Sequence, residues 1–187
     1  MKLKLILPII MLFVIPMAMA QQICYADSVN SFTQGLDSYG NSVAVDRSNP
    51  SMALGMPEQD DTINFVSLGF GGELILEFSN PILNIGGDDF TVIETSFGSP
   101  SCNQYPERVH VYASDDGSTW TDLGTGCLDG SYDLGSLSSA SYVKLVDITD
   151  VNDFSGRVDA FDVDGIIANC ETGEVPEFSV IGALAVL

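Results

Sequence analysis

The sequence predicts an all-β fold, a sandwich or a barrel. Three observations predict it. Apolar residues recur at every second position in short stretches, those stretches are separated by clusters of Gly, Asp, Asn and Ser, and beyond the first twenty residues no stretch of ten or more follows the helical period. Period-two runs between turn formers mark strands half-buried on one face. Many such runs without helices make packed or closed sheets.

The elements follow in chain order. NFVSLGF (64–70) is the first expected strand and ends at Gly71-Gly72. ELILEF (73–78) alternates strictly, with Leu74, Leu76 and Phe78 on one face and Glu73, Ile75 and Glu77 on the other. DFTVIE (89–94) follows the turn NIGGD. RVHVYAS (108–114) sets Val109, Val111 and Ala113 against His110, Tyr112 and Ser114, and STWTDLG returns after the turn residues DDG. SYVKLVDIT (141–149) and FDVDGIIAN (161–169) complete the series, while NPSMALGMPEQDD (49–61) reads as a loop with one helical turn.

In this order SLGFGGELILEFSNPILNIGGDDFTVIE, RVHVYASDDGSTWTDL, YVKLVDITD and VDAFDVDGI resemble secreted prokaryotic domains of the galactose-binding-like, discoidin-type jelly roll. The likeness covers about residues 25 to 170. It rests on the Gly-Gly strand entry, the SDDGSTW hairpin and the final D-x-D strand. It implies a two-sheet antiparallel β-sandwich and leaves the ligand open, because such folds host many binding tasks.

Both ends of the chain are apolar. MKLKLILPIIMLFVIPMAMAQQ has a basic head (Lys2, Lys4), an apolar run from Leu5 to Met17 and small residues at Ala18 and Ala20. This is the layout of a secretory signal cut by signal peptidase after Ala20. The run is broken by Pro8 and Pro16 and is shorter than the roughly 20 residues a spanning helix needs. At the other end, GEVPEFSVIGALAVL resembles the archaeal PEF-CTERM sorting signal, a relative of the bacterial PEP-CTERM signals, with Pro176, Glu177 and Phe178 in the recognition motif. The resemblance implies processing by a sortase-type membrane enzyme and retention at the cell surface. The apolar run stops at Leu187 without the basic tail of that pattern. The expected organisation is therefore a signal peptide over 1–20, a β-sandwich domain over 21–171 and a C-terminal sorting segment over 172–187.

The chain carries 26 acidic and 6 basic residues, a formal net charge of −20 at pH 7. Loss of the signal would remove Lys2 and Lys4 and leave Arg47, Arg108, Lys144 and Arg157 as the cations. Such a field repels nucleic acid and anionic membranes and attracts cations. Four cysteines, at 24, 102, 127 and 170, in an exported chain indicate two disulfides with three possible pairings. The favoured pairing is Cys102 with Cys127, tying neighbouring loops, and Cys24 with Cys170, clipping the two ends of the domain.

Acids cluster late in the chain. In DAFDVDG, Asp162 and Asp164 share one side of a strand, with Asp159 just before them. Hard oxygen ligands at this spacing suit a structural Ca²⁺, which takes six to eight of them. Asp147, Asp150 and Asp153 from VDITDVNDFSG and Asp37 from DSYGN are the expected further ligands. An EF-hand is rejected because Ala160 occupies the first ligand position and the flanks read as strand. SDDGSTW is similar to an Asp-box but occurs once, and reads as a turn stapled by Asp116 and Ser114 over Trp120.

Catalysis finds little footing. His110 sits mid-strand between Val109 and Val111, and no P-loop, dinucleotide fingerprint or zincin motif is present. A carbohydrate-binding face is the sharper expectation. Tyr39, Phe97, Tyr105 and Tyr132 fall in expected turns, where aromatic rings stack on sugars, and Asn103, Gln104 and Arg108 supply hydrogen bonds to hydroxyls. The sequence therefore points to a secreted, surface-anchored, non-catalytic structural or adhesion module that binds cell-surface or environmental glycans. The alternative is a glycan-processing enzyme or its accessory domain.

Overall fold

The computed structural model describes residues 21–58, 64–96 and 101–172. The expected signal peptide, Phe97 and the motif residues Pro176, Glu177 and Phe178 lie outside the described residues. The described chain is all-β: β1 (Gln21–Tyr25), β2 (Ser28–Thr33), β3 (Val66–Ser67), β4 (Glu73–Leu83), β5 (Phe90–Glu94), β6 (Val109–Ser114), β7 (Thr121–Gly126), β8 (Gly130–Tyr132), β9 (Ser139–Asp147) and β10 (Asp162–Glu171). Single turns of 3-10 helix occur at Val45–Arg47, Pro50–Ala53 and Val151–Asp153. The second of these is the expected turn within 49–61, and Asn49 caps it by accepting from the Ser51 N–H.

The strand pairs are antiparallel. One group runs β2-β4-β9-β6-β7, and the other gathers β1, β3 and β5 around β10, with β8 outside β5. The expectation of two separate sheets needs amending. The groups join where Ile82 of β4 pairs with Cys170 of β10, so ten strands form one network curled into a barrel-like, nearly closed arrangement. The cause is length: β4 has 11 residues and β10 has 10, so their far ends reach the corner where the groups meet.

The core fills the inside of this curl. Leu74, Leu76 and Phe78 of β4, Val109, Val111 and Ala113 of β6, and Val143 and Leu145 of β9 are buried, as alternation demands. They meet Val66, Leu68, Val92, Phe161, Val163 and Ile166 from the other group. Each fully buried Leu or Val of this set contributes about 1.5–3 kcal/mol. β10 departs from alternation: residues 162–166 are all buried, because the strand is covered on both faces where its register shifts between Val163 and Gly165. A Cβ at Gly165 would stand 2.9 Å from the Pro57 ring, so glycine is what lets the 50s loop close over this strand.

Two disulfides fasten the fold. Cys24 joins Cys170 across the β1–β10 pair, with Cα atoms 5.8 Å apart, and Cys102 joins Cys127 at 5.9 Å. Disulfides mark a chain that matures in an oxidising, extracytoplasmic compartment. Among the described residues no helix is long and apolar enough to cross a membrane.

Candidate functional site

Two adjoining depressions open where the 40s loop, the segment before β6 and the approach to β10 converge. The larger, about 280 Å³, is lined by Asp37, Asp46, Arg47, Arg157 and Asp159 together with small apolar residues. The smaller, about 150 Å³, adds Thr95, Ser96, Tyr105, Glu107 and Asp162. They share Arg47, Arg157, Val158 and Asp159 and so form one groove.

Local structure explains how these side chains meet. Arg47 ends a 3-10 turn whose chain is held by Gln34, which donates to the Arg47 carbonyl at 3.1 Å and the Ser67 carbonyl at 2.8 Å. The Arg47 guanidinium donates through one nitrogen to both oxygens of Asp159, at 2.8 and 2.9 Å, and lies 5.1 Å from the centroid of Phe65. Asp159 is fixed from behind, because the Ser67 hydroxyl donates to its backbone carbonyl. Ala160 adopts left-handed backbone, φ 66°, and Asp159 and Asp162, which flank Ala160 and Phe161, both line the groove. At the far wall Arg157 Nε donates to buried Asp37 at 2.7 Å. The other Asp37 oxygen accepts from the Tyr39 and Asn41 N–H groups, and these bonds hold its carboxyl below its usual range.

The remaining carboxylates behave differently. Burial, with neighbouring Glu94 and Asp159, pushes the Glu107 carboxyl up to about 8. Burial likewise lifts Glu94 to about 7, against hydrogen bonds from the Ser96 hydroxyl at 2.7 and 2.8 Å. Asp162 is 6 % exposed, and its Oδ1 finds no hydrogen-bond partner among the described residues. Burial and the charges of Asp159 and Glu107 push its carboxyl well above the ordinary range.

The residues named for calcium are thus divided. Asp37 and Asp159 face arginines. Asp147 is buried and accepts from the Gly71, Thr149 and Phe161 N–H groups and the Thr149 hydroxyl, tying the end of β9 to its neighbours. Asp150 caps the 3-10 turn that contains exposed Asp153. Asp164 is buried in β10. Among the described residues no three His, Cys, Asp or Glu side chains gather as a metal shell.

The residues named for sugar binding also divide. Tyr105 lines the groove and is 38 % exposed. Asn103 and Gln104 sit in the same turn, with Gln104 bonded to Ser101, and Tyr39 stands exposed beyond Asp37. Arg108 bonds through its backbone to Thr149 at the start of β6. Tyr132 is not in a loop: it belongs to β8, is 6 % exposed and stacks on Phe90 at 5.5 Å, so its ring is a core residue closed to ligand. Arg47, Glu107, Arg157, Thr95 and Ser96 are groove residues that sequence reasoning did not name.

Elsewhere His110 is half-buried, with Nε2 2.7 Å from Asp122 and Nδ1 2.9 Å from the Tyr112 hydroxyl. The SDDGSTW turn is stapled as its residues suggest: Asp116 accepts from the Ser118 and Thr119 N–H groups and the Ser114 hydroxyl, which hold its carboxyl far below the usual range.

No protein-family model and no curated protein matches the chain. Among solved structures it is similar to the C-terminal domain of a chitobiase from Bacteroides fragilis, with a TM-score of 0.48 and 17 % identity, over 78 % of this chain and 95 % of that one. It is also similar to a glycoside hydrolase, with a TM-score of 0.37 and 8 % identity, over 75 % of this chain and 31 % of the hydrolase. The chain therefore spans about a third of the length of that enzyme. These likenesses are of all-β backbone and assign no family.

Proposed function

We propose that this chain is an extracellular, non-catalytic glycan-binding module on a galactose-binding-like jelly roll, retained at the cell surface through its C-terminal segment. The observation that carries the reading is the groove itself: two arginines, several carboxylates, Thr95, Ser96 and Tyr105 line one open depression. Alternating donors and acceptors beside an aromatic face are what a polyhydroxylated ligand requires. The groove is made of loops seated on a disulfide-fastened sheet, which suits binding with little reorganisation.

A glycan array probed with the disulfide-bonded chain tests this. Saturable binding to at least one glycan, lost in Arg157→Ala with the melting temperature held, is the expected result. An array without signal refutes glycan binding. Turnover of an envelope polysaccharide by the pure chain would move the assignment to a glycan-processing enzyme.

A further inference from the structure

We infer that the groove recognises its glycan through a primary ammonium group, a sugar unit with a free amine such as glucosamine, seated on Asp162 and Glu107; the inference rests on the glycan reading above. The first argument is charge. Arg47 pairs with Asp159 and Arg157 with Asp37, which leaves Asp46, Glu107 and Asp162 as lining carboxyls that form no ion pair among the described residues, and Glu94 adds to the field around Glu107.

The second argument is an orphaned acceptor. Asp162 lines the groove, and its buried Oδ1 has no hydrogen-bond partner among the described residues. A buried polar atom left this way is costly, and a ligand that brings a donor recovers the cost. A sugar hydroxyl brings one donor and no charge. An ammonium brings three donors and a positive charge, so it satisfies Oδ1 and favours the ionised form of the carboxyls around it in one step. Tyr105 at the rim offers its ring to the sugar that carries the amine.

A divalent cation fits the same charge less well. It needs six or more oxygens, the Asp159 oxygens are already taken by Arg47, and the guanidinium would repel the ion.

The test is calorimetric titration of the disulfide-bonded chain with a β-1,4-linked glucosamine trimer, its N-acetylated counterpart and a neutral glucose trimer. The expected result is about tenfold tighter binding of the free amine than of the acetylated trimer. Asp162→Asn and Glu107→Gln should each weaken it about tenfold, while Asp88→Asn, at an exposed site outside the groove, leaves it unchanged. Two positions are used because buried Asp162→Asn is the riskier one for folding, and melting curves accompany both. Equal affinity for the free and acetylated trimers overturns the ammonium inference and leaves the glycan reading standing, as does a positive array beside three silent trimers. Equal weakening by Asp88→Asn overturns it in favour of diffuse charge attraction. Calcium binding lost in Asp162→Asn overturns it in favour of a metal site.

Discussion

Glu107→Gln offers a sharp check on the electrostatics of the groove. The Glu107 carboxyl is pushed from the ordinary 4.5 to about 8 in the folded chain. Between those values the folded form holds a proton that the unfolded chain has released, so stability is greatest at the acid end of the window and falls as pH rises through it. At 1.36 kcal/mol per pH unit the full shift is worth roughly 5 kcal/mol. Glu107 is only partly buried, and solvent reaching the open groove reduces this to about 2 kcal/mol. Glutamine keeps the shape and cannot ionise. The variant should therefore match the parent at pH 5 and exceed it by about 2 kcal/mol at pH 8, a melting-temperature difference of roughly 4–8 °C for a domain of this size. Glu94, pushed up to about 7, leaves a shallower slope of the same sign in the variant. Melting curves by circular dichroism across pH 5–8 measure this. A parent whose stability is flat or rising over that range, or a variant that keeps the parent's full slope, refutes the reasoning.

Three further outcomes are expected. Leu76→Ala, at a fully buried position in β4, should cost about 2–5 kcal/mol in a urea titration, and a loss below 1 kcal/mol would mean that the core is packed differently. Paired Cys24→Ser and Cys170→Ser should cost more than paired Cys102→Ser and Cys127→Ser, about 5 against about 3 kcal/mol by loop entropy, because the first link encloses a separation of 146 residues and the second 25; the reverse order in thermal melts would contradict this. Asp116→Ala removes a carboxylate that holds two backbone N–H groups in its turn and should lower the melting temperature at pH 7, with the difference shrinking in strong acid, where the parent carboxyl also protonates; thermal melts at the two pH values check this.

Much of the fold was legible where one face is buried and the other wet. β4 and β6 alternate in burial as Leu74–Leu76–Phe78 and Val109–Val111–Ala113 demand. β1 and β2, QQICY and SVNSFT, were not legible, because they hold their places through backbone pairing to β10 and β4 while most of their side chains stay near solvent. Of the site, Asp37, Asp159 and Tyr105 are visible in sequence as acids and an aromatic beside turns, and Asp162 as an acid in a strand. Arg47, Glu107 and Arg157 are not, since each stands alone in its segment and only the antiparallel topology brings them to one groove. One signal was available: in a chain with so few cations, an arginine surrounded by acids is destined for an ion pair. Tyr132 misleads because DGSYDLG reads as a turn, whereas the short strand inside it is covered by Phe90.

The Cys24–Cys170 link has a mechanical meaning. Gln21 and Glu171 face each other across β1 and β10, and just inside them the covalent bridge runs diagonally, from Cys24, which pairs with Ala168, to Cys170, which pairs with Gln22. Tension applied between the chain before Cys24 and the chain after Cys170 therefore runs through a sulfur–sulfur bond and bypasses everything between them. A body loaded in this way cannot be drawn out into a longer thread, so it would act as a rigid bead under shear until a reductant cut the bond.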